Sequence, residues 1–244
     1  MKSLIKGTVA GMIVSVALSG MAMAQTIRMG TEGAYPPYNF INDAGQVDGF
    51  EREVGDELCK RAGLTCEWVT NEWDSIIPNL VSGNYDTIIA GMSITAERDK
   101  VIDFTQDYYP ASPSFFVAMS GQSVDLKGGV IAAQAATIQA GFVAESGATL
   151  VEFATPDETI QAVRNGEADA VLADSDFLAP IVAESNGELE VVGQERIGGG
   201  IGMGIRESDG DLKAKMDKAI GSMKADGTLN TMIKKWFGDD AATF

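Results

Sequence analysis

Hydrophobic and polar positions along this chain follow two alternating rhythms. Thr26–Gly30 reads as a strand and is followed by a proline-rich turn at Tyr35-Pro36-Pro37. Phe50, Val54 and Leu58 recur at four-residue spacing and predict a helix that runs into Cys59. Trp73, Ile76, Ile77, Leu80 and Val81 form a second helical stripe. Asp86–Met92 holds a continuous apolar run, as a parallel strand buried on both faces requires.

The rhythm then restarts. Phe115–Ala118 and Val130–Ala133 predict strands, and a helix is expected from near Thr137. Thr155-Pro156-Asp157-Glu158 is a helix start, a capping box with proline at the first helical position. Ala168–Ala173 predicts another buried strand. Beyond Gly198-Gly199-Gly200 come a strand at Gly202–Ile205 and a helix with Leu212, Met216, Ile220 and Met223 inward. A last helix carries Leu229, Met232, Ile233 and Trp236.

Two successive strand–helix blocks imply an α/β chain of two lobes, each with a mostly parallel sheet flanked by helices. The first lobe is expected to be discontinuous, at 25–109 and 201–244, with the second at 114–195. Crossings at 110–113 and 196–200 would join them as a two-strand hinge.

The first 24 residues are read separately. Lys2 and Lys6 precede an apolar run from Thr8 to Leu18, and Ala22-Met23-Ala24 has the small-x-small form of a signal-peptidase site. The alternative, a membrane anchor, needs a longer apolar run. Cleavage after Ala24 predicts an exported, soluble protein with no direct membrane insertion.

The leader removes two of the 18 basic residues and none of the 35 acidic ones, which takes the net charge from −17 to −19. That balance argues against nucleic acid as a partner. The chain has no histidine, which excludes histidine general bases, serine–histidine triads and histidine metal sites. No metal site and no cofactor are expected. Cys59 and Cys66 are the only cysteines. In an exported chain they read as one disulfide; a zinc site would lack its other ligands, and a redox pair is normally closer in sequence.

In open α/β sheets, ligands bind outside the carboxyl ends of the strands. The residues there are Glu32 and Tyr35 after the first strand, and Ser93, Thr95 and Arg98 after the Asp86–Met92 run. Thr137 and Asp174 follow the two strands of the second block. The set suits an amino-acid zwitterion, with Arg98, Ser93 and the Thr137 turn for its carboxylate and Asp174 for its ammonium. Position alone leaves other roles open. Arg98 also suits a surface arginine paired with Glu97 or Asp103, and Asp174 suits a helix N-cap.

Longer motifs carry a resemblance. Gly30-Thr31-Glu32-Gly33-Ala34-Tyr35-Pro36-Pro37-Tyr38 and Val47-Asp48-Gly49-Phe50-Glu51 resemble the opening of the polar amino-acid-binding proteins of ABC importers. So do Trp73-Asp74-Ser75-Ile76-Ile77-Pro78-Asn79-Leu80 and, most specifically, Tyr85-Asp86-Thr87-Ile88-Ile89-Ala90-Gly91-Met92-Ser93-Ile94-Thr95-Ala96-Glu97-Arg98. Gly166–Asp174 and Lys224–Leu229 extend the likeness over the whole chain after the leader.

The resemblance, including that to lysine/arginine/ornithine-binding proteins, implies a type II periplasmic-binding-protein fold and a periplasmic monomer. The protein would deliver a free amino acid to an inner-membrane ABC permease. Arg98 would clamp the ligand carboxylate, with Ser93 and the Thr137 backbone completing the cradle beside Ala90 and Gly91, and Asp174 would take the ammonium. Tyr35 and Trp73 would pack on the ligand side chain. Glu32 and Glu51 are read as a carboxylate pair at its distal end, favouring arginine, lysine or ornithine. The cysteine spacing matches the basic amino-acid binders.

Three departures from the family pattern stand out. Ala135-Ala136-Thr137 replaces a usual Gly-Thr, Ala90 replaces a frequent serine, and Arg52 lies between Glu51 and Glu53. Arg52 near the cleft mouth leaves glutamine or an opine as an alternative ligand. The other class of function is a cyclic-acid dehydratase on the same fold, which would need a carboxylic acid of raised pKa; non-enzymatic binding is the expectation.

Overall fold

A computed structural model describes residues 26–244. The signal-peptide reading falls on 1–24, outside the described residues. The chain opens with β1 (Thr26–Thr31), three short strands β2 (Ala34–Tyr35), β3 (Asn39–Ile41) and β4 (Val47–Asp48), then α1 (Phe50–Ala62) and β5 (Thr65–Thr70). A 3-10 turn at Trp73–Ser75 leads into α2 (Ile76–Val81), followed by β6 (Thr87–Ile88) and β7 (Asp103–Tyr109). The next block is β8 (Ser114–Met119), β9 (Val130–Gln134), α3 (Ile138–Ser146), β10 (Thr149–Phe153), α4 (Pro156–Arg164), β11 (Ala170–Asp174), α5 (Ser175–Glu184) and β12 (Leu189–Glu195). β13 (Ile201–Ile205), α6 (Gly210–Ala225) and α7 (Thr228–Phe237) end the chain.

These strands form two five-stranded sheets, β5-β1-β6-β13-β7 and β10-β9-β11-β8-β12, with β2, β3 and β4 in a small sheet of their own. Each large sheet is mixed, not mostly parallel as the strand–helix alternation suggests. Two of its pairings are parallel and two antiparallel. The antiparallel strands are those beside the crossings. The chain leaves the first sheet after Tyr109 and re-enters it at Ile201, so β7 and β13 lie side by side in opposite directions.

Local rules explain the helices. Phe50, Val54 and Leu58 are fully buried on one face of α1, each stabilising by about 1.5–3 kcal/mol. Gly63 ends α1 in the left-handed region, where glycine carries no Cβ penalty, and the chain reverses into β5. The reversal brings Cys66 back to Cys59, and the two form the disulfide. The α4 capping box forms in full, with Thr155 and Glu158 each bonding the other's backbone N–H.

One predicted strand is shorter than its apolar run. Ile88, Ile89, Ala90 and Met92 are all buried, yet only Thr87–Ile88 joins the regular ladder. Gly91, at φ 62°, turns the chain toward the space between the sheets. Ser93 then bridges Ile201 at the start of β13. Among the described residues no helix is long and apolar enough to cross a membrane.

Candidate functional site

A turn or helix start at the end of a buried strand places each polar residue of the cleft. Glu32 follows β1, and Tyr35 lies in β2. Ser93 follows the Gly91 turn, and Arg98 opens a 3-10 turn whose N–H bonds the Thr95 hydroxyl. From the second sheet, Gln134 ends β9, Thr137 caps α3 and Asp174 ends β11. Glu32, Tyr35, Trp73, Ala90, Gly91, Ser93, Arg98, Gln134, Thr137, Ile138, Gln139 and Asp174 line one inner cavity of about 30 Å³. That is room for one or two waters. Trp73 and Glu32 also line a wider outer groove of about 990 Å³.

Arg98 and Asp174 face this cavity without forming a salt bridge. Arg98 donates one bond, from Nη1 to the Ser93 carbonyl at 2.9 Å, and pairs with neither Glu97 nor Asp103. Its guanidinium carbon lies 5.3 Å from the Trp73 ring centroid. Asp174 occupies the N-cap position of α5 but makes no cap bond. Its carboxylate instead accepts from the Tyr35 hydroxyl at 2.9 Å and from Gln139 Nε2 at 2.9 Å. Thr137 spends its hydroxyl as the cap of α3, accepting from the Ala140 N–H and donating to the Gln134 carbonyl. Its remaining offer to a ligand is backbone N–H at a helix N-terminus, where anions are favoured.

Burial sets the electrostatics. It pulls the Arg98 guanidinium down to about 10, against the raising field of Asp174. It pushes the Asp174 carboxyl up to about 6, opposed by the Tyr35 bond. Glu32 rises to about 7, again through burial, with the Gln134 bond acting against it. All three charged forms are therefore under-solvated, and a group of opposite charge in the cavity would restore them.

Residues 27–239 match the family model of bacterial extracellular solute-binding proteins, family 3. The chain belongs to this family. The family 3 protein is 76% identical to a periplasmic His/Glu/Gln/Arg/opine family-binding protein from Silicibacter pomeroyi, whose crystal structure holds lysine. The TM-score is 0.87, covering 89% of this chain and all of that one. It is 31% identical over 245 residues to the lysine/arginine/ornithine-binding periplasmic protein of Escherichia coli (strain K12), spanning 91% of this chain and 92% of that protein. It is 32% identical over 241 residues to the L-arginine-binding protein of Pseudomonas aeruginosa, spanning 92% and 93%. The fold is the two-lobed type II periplasmic-binding-protein fold.

Within this solute-binding protein the structure corrects one site expectation. Glu51 does not line the cavity. It is completely buried beneath it, accepting bonds from Asn39 Nδ2 at 2.7 Å, the Gly91 N–H at 2.6 Å and the Tyr108 hydroxyl. Burial raises its pKa, and the three donors oppose that rise. Helix periodicity explains the error: Glu51 directly follows Phe50, and the first turn of α1 enters the core instead of the cleft.

Arg52 also stays out of the inner cavity. It pairs with Asp56 at 2.7 Å, bonds the Val47 carbonyl and lies over Trp68, along the outer groove. Sequence reasoning missed Gln134, Ile138 and Gln139. Gln139 lies two residues past Thr137, at the helix start already singled out, and Gln134 directly follows the predicted strand Val130–Ala133 as the last residue of β9.

Proposed function

We propose that this protein captures a free basic L-amino acid, arginine, lysine or ornithine, between its lobes and delivers it to an inner-membrane ABC permease. Its working place is the periplasm, where it acts as a monomer and returns the ligand chemically unchanged. One observation carries the reading: Arg98 and Asp174 face the same cavity, opposite in charge, buried and not paired with each other. A zwitterion satisfies both at once, its carboxylate on Arg98 and the α3 N-terminus and its ammonium on Asp174. Glu32 then meets the distal cation, and Trp73 and Tyr35 flank the methylenes. The family and the names of its relatives support the same class of ligand. With Arg52 held by Asp56, Glu32 keeps its negative field, which favours the cation over glutamine.

Capture also needs motion. The inner cavity is too small to admit an amino acid by diffusion through the closed lips, where Glu32 meets Gln134 and the Trp73 indole N–H meets the Ala136 carbonyl at 3.3 Å. We assign 25–109 with 201–244 to one lobe and 114–195 to the other. The 110–113 and 196–200 crossings serve as the hinge.

Calorimetric titration with arginine, lysine, ornithine and glutamine tests the ligand reading. Binding by the three basic amino acids, each recovered unchanged, supports it, and binding by glutamine alone ends it. Identical small-angle scattering with and without bound ligand would end the hinge assignment.

A further inference from the structure

We infer that Asp176 is a closure latch. Its carboxylate rides on α5 of one lobe, is held by the Tyr38 and Tyr109 phenols of the other, and keeps the lobes closed over a ligand it does not touch. The inference rests on the proposed lobes and hinge and deepens that reading.

Asp176 stands in the first turn of α5. Its Oδ2 accepts from the Tyr38 hydroxyl at 3.0 Å and from the Tyr109 hydroxyl at 3.0 Å. Tyr38 lies in the turn between β2 and β3, and Tyr109 ends β7. Both tyrosines are buried. Their rings meet edge to face at 5.4 Å, and both pack on Phe237 of α7, at 4.8 and 4.7 Å between centroids. An aromatic cluster of the first lobe thus fixes both donors, and only the acceptor comes from the second. Burial first, then the Asp176 charge, pushes both phenols up, so both stay protonated and able to donate.

Asp176 is not among the residues that line the inner cavity, so its bonds are the same whichever ligand is held there. The preceding residue, Ser175, donates its N–H to the Pro113 carbonyl at 2.9 Å, which ties the start of α5 to the 110–113 crossing. A rotation about the crossings that carries α5 away from the Tyr38 turn breaks both phenol bonds together. Hydrogen bonds to a charged group are the stronger kind, and a buried donor stripped of its acceptor is costlier still. The two bonds therefore bias the lobes toward closure and slow ligand escape.

The test measures arginine, lysine and glutamine binding to wild type, Tyr38→Phe and Asp176→Ala, by calorimetry and stopped-flow fluorescence. Tyr38→Phe keeps the ring and removes one bond. It is expected to speed dissociation of every ligand that binds wild type by at least about tenfold, with association changed by less than about threefold. Asp176→Ala removes both bonds and is expected to speed dissociation further, while the ratios among ligand affinities stay those of wild type. If Asp176→Ala does not fold, Tyr38→Phe, whose ring stays in the aromatic cluster, decides. A loss that differs between ligands overturns the latch. So does a lower melting temperature of the ligand-free variants with unchanged dissociation, the mark of a merely structural bond. A wild type that binds only glutamine ends the basic-ligand reading, and the same rates measured on glutamine still test the latch. Identical wild-type scattering with and without ligand ends the hinge reading and the latch together.

Discussion

Tyr35 and Asp174, 139 positions apart, bond each other twice across the cleft. The phenol donates to Asp174 Oδ2 at 2.9 Å, and the Asp174 amide donates back to the phenol oxygen at 3.2 Å. The Tyr35 ring meanwhile stacks on Phe177 at 4.3 Å between centroids. One tyrosine therefore both orients the carboxylate and packs on α5. Tyr35→Phe keeps the stack and removes both bonds. Ligand affinity should fall roughly two- to thirteenfold, as loss of a bond worth about 0.5–1.5 kcal/mol implies. Titration calorimetry measures this, and unchanged affinity would detach Tyr35 from the site.

Arg98→Ala and Asp174→Ala each leave a buried ligand charge without its partner, which typically costs about 2–5 kcal/mol. Each variant should bind at least about thirtyfold more weakly. Neither side chain belongs to the apolar core, so far-ultraviolet circular dichroism should stay that of wild type. Near-wild-type affinity for either variant would remove that residue from the zwitterion clamp.

The pH dependence follows from Asp174 at about 6, against an ordinary 3.8, and Glu32 at about 7, against 4.5. Both values are raised, so the ligand-free fold favours the protonated forms. Their contribution to stability is full below about pH 4 and is lost as pH rises through about 6 to 7. Binding runs the other way, because a basic amino acid needs both carboxylates ionised. Arginine affinity should fall as pH drops from about 8 to 5.5, with protons released near pH 6.5. Titration in buffers of different ionisation enthalpy reads the release directly, and buffer-independent heats would contradict it.

Glu51→Ala separates a buried support from a ligand contact. It strands the Gly91 N–H, the Tyr108 hydroxyl and the Asn39 amide without their acceptor. Stability should fall by roughly 3 kcal/mol, while the ratio of arginine to glutamine affinity stays constant. Chemical denaturation and titration together check this. A changed ligand ratio with unchanged stability would return Glu51 to the ligand.

Ala136 sits at φ 58°, in the left-handed region that disfavours a Cβ. Its carbonyl still receives the Trp73 indole, a bond that glycine preserves. Ala136→Gly should relieve the strain and, after the entropy glycine adds to the unfolded chain, stabilise by about 0.5–1 kcal/mol. Thermal melting should show a rise of roughly 1–4 °C, and a lower melting temperature would refute the strain.

Periodicity made α1, α6 and α7 legible because burial on one helix face is a local pattern, and the Thr155–Glu158 capping box, which lies within four residues, marked the start of α4. Positions at strand ends singled out Glu32, Tyr35, Ser93, Thr95, Arg98, Thr137 and Asp174 as candidates, and the cavity brings together all but Thr95, whose hydroxyl accepts the Arg98 N–H instead. The antiparallel strands at the crossings were not legible, since an apolar run carries no direction. The truncation of β6 was not legible either, since buried residues look alike in and out of a ladder.

By itself, then, the sequence determined the two α/β blocks, the family motifs and the chemical types available at the cleft, all properties of short segments and their side chains. The tertiary structure alone decided how those side chains are used. It sends Glu51 beneath the site to hold Gly91 and Tyr108, turns Asp174 from a cap into a cleft acceptor, and joins Gln134 to Glu32 across 102 positions. Hydrogen-bond partners depend on distances of about 3 Å between distant segments, and only the packing of the two sheets sets those distances.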